Sequence, residues 1–389
     1  MNRVVTKSKI NIIADILFYI ALTIEILIVI LDKSAYLIQY EGYWFRLTFL
    51  LFGFKILLTK YSVKEWCAIF LFGMLGAVSY YITGKNEIIR LVVMIAACKE
   101  MDFDKMFCYL FYTTLTGCLV IIGLSFGGIG TFEITTDFGR GMIQTRYCLG
   151  LGHPNALHCM SWALITLYLY CYREKLKWFH FAVLLVINHV IYILTDSRTG
   201  VIVAIFTILL AWFMNGIKKL RYYKPLYIFS IIGVVGLFIF SALMAEPNMY
   251  QRVFVRLDDL ITGRIRNTLA IISGCHLQNW TLFGEYGSWA QTDLGFVKLV
   301  YWFGLIPAII YLIMCCLLIW TAYKEKDYMA MVLVVSISIY TVFEGHDISV
   351  YHGRNYLYFL WGKYWSKMLK AGSTDERYLW KVLSKRIVE

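Results

Sequence analysis

The chain has 389 residues, of which 60% are apolar and only 16% are charged, and its formal net charge is +12. Soluble domains usually contain about 25% charged residues, and a soluble domain could not bury this much apolar surface, so the composition excludes a soluble protein. The positive charge does not indicate nucleic-acid binding, because lysines at an inner membrane face that meets anionic lipid headgroups explain most of it.

Long apolar runs follow one another along the chain, and most are about long enough to cross roughly 30 Å of hydrocarbon. They predict an all-α polytopic integral membrane protein with about twelve transmembrane helices, which form a single transmembrane domain over residues 1–389. The first run lacks a small-residue cleavage site, so we interpret it as an uncleaved anchor. The predicted spans are Asn11–Leu31, Trp44–Leu58, Trp66–Ile82, Ile88–Cys98, Phe107–Phe126, Leu151–Cys171, Phe179–Leu194, Thr199–Phe213, Leu226–Ala245, Phe296–Trp320, Tyr328–Phe343 and Tyr356–Leu369.

The distribution of basic residues predicts the orientation in the membrane. If both termini are cytoplasmic, the inner loops and the tail, together with the helix-end lysines Lys363 and Lys367, contain 23 of the 37 Lys and Arg. The outer loops and outer helix ends contain 12, and Lys55 and Arg90 fall within spans. Short inner loops such as Lys218-Lys219-Leu220-Arg221 repeat this bias, which is the positive-inside pattern. We therefore expect a multi-pass protein of the cell membrane with both termini in the cytoplasm.

Two short polar clusters stand at the mouths of predicted helices. Gly152-His153-Pro154-Asn155 lies at the start of the sixth span, and Asp196-Ser197-Arg198-Thr199-Gly200 at the start of the eighth. Each brings a cation, or a group that can become one, to a membrane boundary, where such residues are costly and indicate a functional site. The alternative interpretation is a proline kink and an interfacial arginine.

The outer segments prefer arginine to lysine, since nine of their twelve basic residues are Arg. Membrane orientation requires only positive charge and does not explain this preference. A planar guanidinium binds phosphate or carboxylate oxygens through two parallel hydrogen bonds, so an arginine-lined outer cavity would suit a phosphate or pyrophosphate. The alternative is that these arginines pair with outer acids such as Asp258, Asp259 and Glu285. The nine are Arg46, Arg140, Arg146, Arg198, Arg252, Arg256, Arg264, Arg266 and Arg354.

Three of these arginines, Arg146, Arg198 and Arg264, each begin or interrupt an element at the outer boundary, so we expect them to converge in one cavity. Arg264 belongs to the largest outer loop, residues 246–295, which is long for a structureless connection. Its first part, Met249–Ser273, predicts an amphipathic helix interrupted by the segment from Thr262 to Arg266. The predicted substrate-binding residues are Arg146, Asn155, Arg198, Arg264, Arg266 and Arg354.

The last outer loop, from Glu344 to Asn355, is the densest polar run outside the termini. Histidine titrates near neutral pH and can serve as a general base, and this loop contains His346 and His352. The alternative is a solvated connector. We favour His346 or His352 as the catalytic base over His153, which more readily shapes the cavity, and Glu344 is the carboxylate alternative.

The other polar residues do not indicate a metal or a cofactor. Seven of the ten cysteines lie inside predicted spans, where a thiol acts as a small hydrophobe, and Cys148–Cys275 is the one candidate disulfide. No Cys/His spacing resembles a zinc motif, and no Gly-rich phosphate loop follows a strand. His158, His180 and His189 stand alone among apolar neighbours, so we interpret them as packing or interface residues.

Together these motifs resemble the Wzy-type polysaccharide polymerases of the O-antigen ligase superfamily. The helix pattern extends the resemblance over most of the chain. Residue by residue it is confined to His153-Pro154-Asn155, Ser197-Arg198-Thr199, Thr262-Gly263-Arg264, Phe283-Gly284 and the loop from Glu344 to Asn355. Two features depart from the family pattern: bulky Leu157 and His158 lie near the mouth of the sixth span, and the last loop has two histidines rather than one. They leave the identity of the base open.

The resemblance implies an inverting glycosyltransferase that needs neither metal nor nucleotide. It would move a growing glycan from one undecaprenyl pyrophosphate onto the sugar of another lipid-linked repeat unit, making capsular polysaccharide or exopolysaccharide at the outer face. Arginines would hold the pyrophosphates, and a base would deprotonate the acceptor hydroxyl. The implied partners are undecaprenyl-pyrophosphate-linked glycans and membrane lipids, with a flippase and a chain-length regulator as candidate protein partners.

Two other functions are compatible with such a sequence. One is a ligase of the same superfamily, which delivers glycan to a lipid or a protein. The other is a lipid-linked oligosaccharide flippase or another transporter. A transporter would favour inverted repeats with charged groups near mid-membrane, whereas no internal repeat is visible and the polar groups cluster at the predicted outer face, which favours an enzyme.

Overall fold

The computed structural model describes residues 9–34, 36, 38–138, 141–274 and 280–369. These residues form a bundle of helices with a two-stranded antiparallel sheet, in which β1 (Glu133–Asp137) pairs with β2 (Ile143–Tyr147). The helices are α1 (Lys9–Asp32), α2 (Glu41–Leu57), α3 (Val63–Thr83), α4 (Glu87–Ala97), α5 (Phe103–Phe126), α6 (Pro154–Cys171), α7 (Trp178–Thr195), α8 (Arg198–Gly216), α9 (Lys224–Met244), α10 (Pro247–Met249), α11 (Val255–Leu260), α12 (Arg264–Gly274), α13 (Gly295–Phe303), α14 (Leu305–Glu325), α15 (Tyr328–Phe343) and α16 (Leu357–Met368).

Seven of the described helices are long and apolar enough to cross a membrane, and α15 is a shorter apolar helix. They confirm the prediction of an all-α membrane protein, without its number of spans, and indicate that the chain crosses the membrane several times. Twelve spans and cytoplasmic termini stay predictions, and the basic tail from Lys370 lies outside the described residues. The seven are α1, α3, α5, α7, α8, α9 and α14.

The predicted tenth span, Phe296–Trp320, is wrong as one continuous helix. It is broken at Gly304 into α13 and α14. Gly304 has a φ of +91°, and a Cβ there would lie 2.2 Å from Cα of Phe283. The preceding loop crosses the break, where the backbone N–H of Leu305 donates to the carbonyl of Thr281 over 2.9 Å. The sequence period alone did not reveal this break, because it depends on a loop that packs across the helix.

Replacing Gly304 by alanine is therefore expected to destabilise the fold by at least about 2 kcal/mol, since a residue other than Gly at such a strained φ costs about 1–3 kcal/mol and the clash with backbone adds to it. Thermal unfolding of the purified protein in detergent measures the loss. Gly233→Ala is the control, because a Cβ at Gly233 in α9 would meet nothing within 4 Å. Equal unfolding temperatures for both variants would contradict the argument.

Helix α15 lies at the centre of the bundle, packed against α6, α8, α9 and α14, and nearly all of its residues are buried. Most of its side chains are apolar and they cover every face of the helix, as a fully surrounded helix requires. The ring of Trp162 on α6 stacks on Tyr340 at 4.3 Å. The indole N–H of Trp162 donates to Ser336, whose hydroxyl also contacts Thr207 on α8. Such cross-helix polar links hold apolar helices in register.

The disulfide prediction is also corrected by the fold. Cys108 in α5 and Cys171 at the end of α6 form a disulfide across 63 residues of sequence. The sequence predicts both within spans, as small hydrophobes, and their Cα atoms are 5.3 Å apart because α5 packs against α6. Cys148 is a buried free thiol, and its expected partner Cys275 lies outside the described residues.

The first part of the largest outer loop is helical, and the helix is interrupted where the sequence predicts the interruption. Helix α11 ends before Thr262 and Gly263, whose φ angles are +63° and +78°, and α12 begins at Arg264. The carboxylate of Asp258 accepts the backbone N–H of Ile265 over 2.7 Å and that of Arg266 over 3.3 Å. Asp258 therefore stabilises the new helix start, where backbone N–H groups lack helical partners.

Candidate functional site

A cavity of about 630 Å³ opens at the end of the bundle that the orientation predicts to face outside. Helices α6 and α8 begin there, α7 and α15 end there, and the β-hairpin, the turn before α12 and the segment before α13 complete the wall. The polar lining residues are Arg146, His153, Asn155, Asp196, Ser197, Arg198, Thr199, Thr262, Arg264, Asn267 and Asp293.

Local sequence determines how α6 and α8 begin at the cavity. His153 precedes α6 with extended backbone, its Nδ1 accepts the backbone N–H of Asn155 over 3.1 Å, and Pro154 occupies the first helical position, where no N–H is needed. Asp196, at a φ of +47°, ends α7, and Arg198 begins α8 two residues later. Both helix N-termini therefore border one cavity, and their dipoles favour a bound anion there.

Beneath the cavity, α8 approaches α6 closely at Gly200. A Cβ on Gly200 would lie 2.4 Å from the ring of His158. The buried His158 ring contacts Thr195 and Asn188 through hydrogen bonds of 3.1 Å each. His158 therefore joins α6 to α7 just below the mouth. This contact supports its interpretation as a packing residue.

Arg146, Arg198 and Arg264 all line the cavity, so the expected convergence is confirmed. The Arg146 guanidinium on β2 donates to Asp196 over 3.2 Å and lies 4.1 Å from the ring centre of Phe138. Arg264 forms an ion pair of 2.7 Å with Glu344 and donates to the carbonyl of Phe343.

The alternative that outer arginines pair with acids thus holds for Arg146 and Arg264, although through Asp196 and Glu344 rather than the acids named from the sequence. The exposed Arg198 side chain forms no ion pair or hydrogen bond with the described part of the chain. Among the described arginines of the cavity, Arg198 is therefore the one whose charge is left for a ligand.

Among the histidines that the structure describes, His153 is the one that lines this cavity. Loss of hydration lowers its pKa, and the positive charges of Arg146, Lys33 and Arg264 lower it further, whereas Asp293 raises it. The imidazole is therefore neutral at neutral pH. Because Nδ1 accepts the Asn155 N–H, the proton of the neutral ring is on Nε2, which is a donor.

Asp293 is a cavity residue that the sequence analysis missed. It precedes α13 and is exposed into the cavity. Withdrawal from water is the largest effect on the pKa of its carboxyl and raises it. The negative charge of Glu344 also raises this pKa, whereas the nearby Arg264, Lys298 and His153 lower it. A lone Asp in a polar loop has no local pattern that marks it, and only the folded chain brings it to the arginines.

Several predicted site residues lie elsewhere. His352 lines a separate, mainly apolar cavity of about 100 Å³ between α3, α4, α14 and α16. Arg354 is buried and forms an ion pair with Asp32 at the end of α1. Arg266 is exposed on α12 and does not line the arginine cavity. The placements of His352 and Arg354 differ from the expectation that the last loop faces the arginines, because that part of the loop packs against α1.

His346 is half-buried, and its ring packs edge-on against Tyr340 at 6.4 Å. Loss of hydration lowers the pKa of both His346 and His352 well below the ordinary value. Neither lines the arginine cavity, whereas His153 does. Glu344 is linked to the cavity through its ion pair with Arg264. The preference for His346 or His352 over His153 is therefore not supported by their positions.

The chain was compared with known proteins. No protein-family model, no curated protein and no solved structure matches it. Within the described residues, no group of three or more His, Cys, Asp or Glu side chains is placed to hold a metal ion. The functional assignment therefore depends on the positions of the motifs in this structure. Residues from His153-Pro154-Asn155, Ser197-Arg198-Thr199 and Thr262-Gly263-Arg264 line one cavity.

Proposed function

We propose that this chain is a membrane glycosyltransferase that acts at the outer face of the cell membrane. It polymerises undecaprenyl-pyrophosphate-linked oligosaccharide repeat units into a capsular polysaccharide or exopolysaccharide. One observation carries the proposal. Three arginines from distant parts of the sequence line a cavity at which two long helices begin. The family resemblance adds the reaction class, and residues from three of the five motifs on which it rests line the same cavity.

The electrostatics of the cavity support a pyrophosphate ligand. Arg146 and Arg264 are buried, and ion pairs with Asp196 and Glu344 hold their guanidinium groups in place. These groups are therefore oriented before a ligand arrives, and an oriented guanidinium loses less conformational entropy on binding. Arg198 supplies positive charge that no described residue neutralises. The N-termini of α6 and α8 add partial positive charge. A diphosphate matches this combination better than a neutral sugar does.

The size of the cavity also supports the proposal. At about 630 Å³ it lies within the roughly 300–1,000 Å³ typical of small-molecule sites, and it exceeds the space that a diphosphate alone needs. The apolar residues Ile202, Val203, Ile339 and Phe343 line it beside the polar ones, which suits a ligand that joins a charged diphosphate to a lipid chain.

Deletion of the gene tests the function in cells. We expect single repeat units to accumulate on lipid at the outer face, because export would continue while polymerisation stops. Extraction of lipid-linked glycans, with their accessibility to an added impermeant glycosidase, measures both length and side. Full-length polymer retained on lipid would instead indicate a ligase. Units trapped at the inner face would indicate a flippase, and either result would contradict the proposal.

A further inference from the structure

The backbone around Asp293 is held rigidly against the last outer loop. Asp293 lies between the buried Thr292 and Leu294. A Cβ on Gly345 would lie only 2.3 Å from the carbonyl oxygen of Thr292, and one on Gly295 only 2.6 Å from that of Thr341. These close approaches, which only glycine permits without displacement, fix the segment that presents Asp293 to the cavity.

Among the described residues, the Asp293 carboxylate differs from those of Asp196, which lines the cavity, and Glu344, which is linked to it through Arg264. Asp196 is engaged by Arg146, and Glu344 by Arg264. Asp293 forms no ion pair or hydrogen bond with the residues that the structure describes, although Arg264 and Lys298 influence it electrostatically. Its two oxygens are therefore open to a ligand in the cavity. An acid that only neutralised the arginines would be expected to contact one of them.

From this geometry we propose that Asp293 is the general base that deprotonates the acceptor sugar hydroxyl, an inference that rests on the proposed glycosyltransferase function. The hydroxyl oxygen forms a bond to the anomeric carbon of the donor sugar. The bond from that carbon to the phosphate oxygen breaks, and its electron pair leaves with undecaprenyl pyrophosphate. The hydroxyl proton passes to the Asp293 carboxylate, which later releases it to water.

His153 is suited to the complementary role. Its Nδ1 accepts the Asn155 backbone N–H, so the neutral ring presents an Nε2–H donor and no free acceptor while that bond persists. A donor can orient a sugar or phosphate oxygen but cannot remove a proton from the acceptor hydroxyl. The division of roles therefore follows from hydrogen-bond capacity: Asp293 accepts the proton and His153 is a positioning residue.

The ionisation of Asp293 is compatible with this role. Withdrawal from water raises its pKa most, and the facing charges act in both directions: Arg264 on α12, Lys298 on α13 and His153 before α6 lower it, while Glu344 after α15 raises it. The net shift is upward. A base with a raised pKa accepts a proton more readily, and the reaction rate should fall as pH falls through that pKa.

The test uses the purified full-length protein in detergent or nanodiscs with a lipid-linked repeat unit, and compares Asp293→Asn with wild type. We expect the rate of polymerisation at saturating substrate to fall by about 100-fold or more with little change in substrate binding. The acidic limb of the wild-type pH–rate profile should disappear. Asp293→Glu should retain part of the rate and a shifted acidic limb, which also guards against a folding defect in the Asn variant.

Asp259→Asn is the matched control, since it makes the same change at an exposed acid of the same outer loop that does not line the cavity. It should keep the wild-type rate. An Asp293→Asn protein that polymerises at nearly the wild-type rate with the same pH profile would overturn the base assignment and leave the function standing. A folded wild-type protein that binds the lipid-linked unit but never polymerises it would overturn the proposed function and the assignment with it.

Discussion

Replacing Arg198 by alanine is expected to lower the polymerisation rate by about 100-fold, the usual loss when one positioned group that stabilises transition-state charge is removed. Arg198 begins α8, is exposed in the cavity and contacts no acid in the described residues. Its guanidinium is therefore available to the leaving pyrophosphate. Polymer length in cells at matched protein level, together with the rate of the purified protein, measures the loss.

Arg198→Lys separates charge from geometry. Lysine keeps the positive charge but is a point cation that cannot make the two-pronged contact with phosphate oxygens, so we expect shorter polymer than wild type. Arg256→Lys in the same outer region is the matched control, because Arg256 is exposed and does not line the cavity. Wild-type polymer length with Lys at position 198 would mean that charge alone suffices.

Replacing Arg264 by methionine is expected both to abolish most activity and to destabilise the fold by about 3 kcal/mol, because removal of one partner leaves a largely buried charge uncompensated. That charge is the carboxylate of Glu344, whose side chain is only 14% exposed and lies 2.7 Å from the guanidinium. Polymerisation by the purified protein measures the loss of activity, and thermal unfolding in detergent measures the loss of stability.

The double variant Arg264→Met/Glu344→Gln distinguishes a structural role from a role in binding. Removing the charge of Glu344 should restore much of the lost stability, since no unpaired carboxylate remains, but activity should stay low because the phosphate contact is still missing. Glu344→Gln alone serves as the control for the loss of that carboxylate. Recovery of full activity in the double variant would show that Arg264 acts only by holding Glu344.

The positions of the helices were largely predictable from the sequence, and the exceptions have physical causes. Hydropathy is a local property that adds up along a run, so each predicted span coincides with a helix or a pair of helices. The break at Gly304 depends on a loop that packs across α13 and α14. The disulfide depends on which helix lies beside α5. The hydrophobic pattern of a helix does not reveal which loop or which other helix packs against it.

For the candidate site, the sequence by itself determined that His153, Arg198 and Arg264 stand at helix boundaries, because proline, turn residues and charge next to apolar runs are local signals. Only the tertiary structure decided which boundaries share a cavity. It brought Asp293 to the arginines and placed His352 in a different cavity. The physical reason is that burial and pairing of a polar group depend on helix neighbours distant in sequence, and an isolated carboxylate in a loop carries no pattern that reveals them.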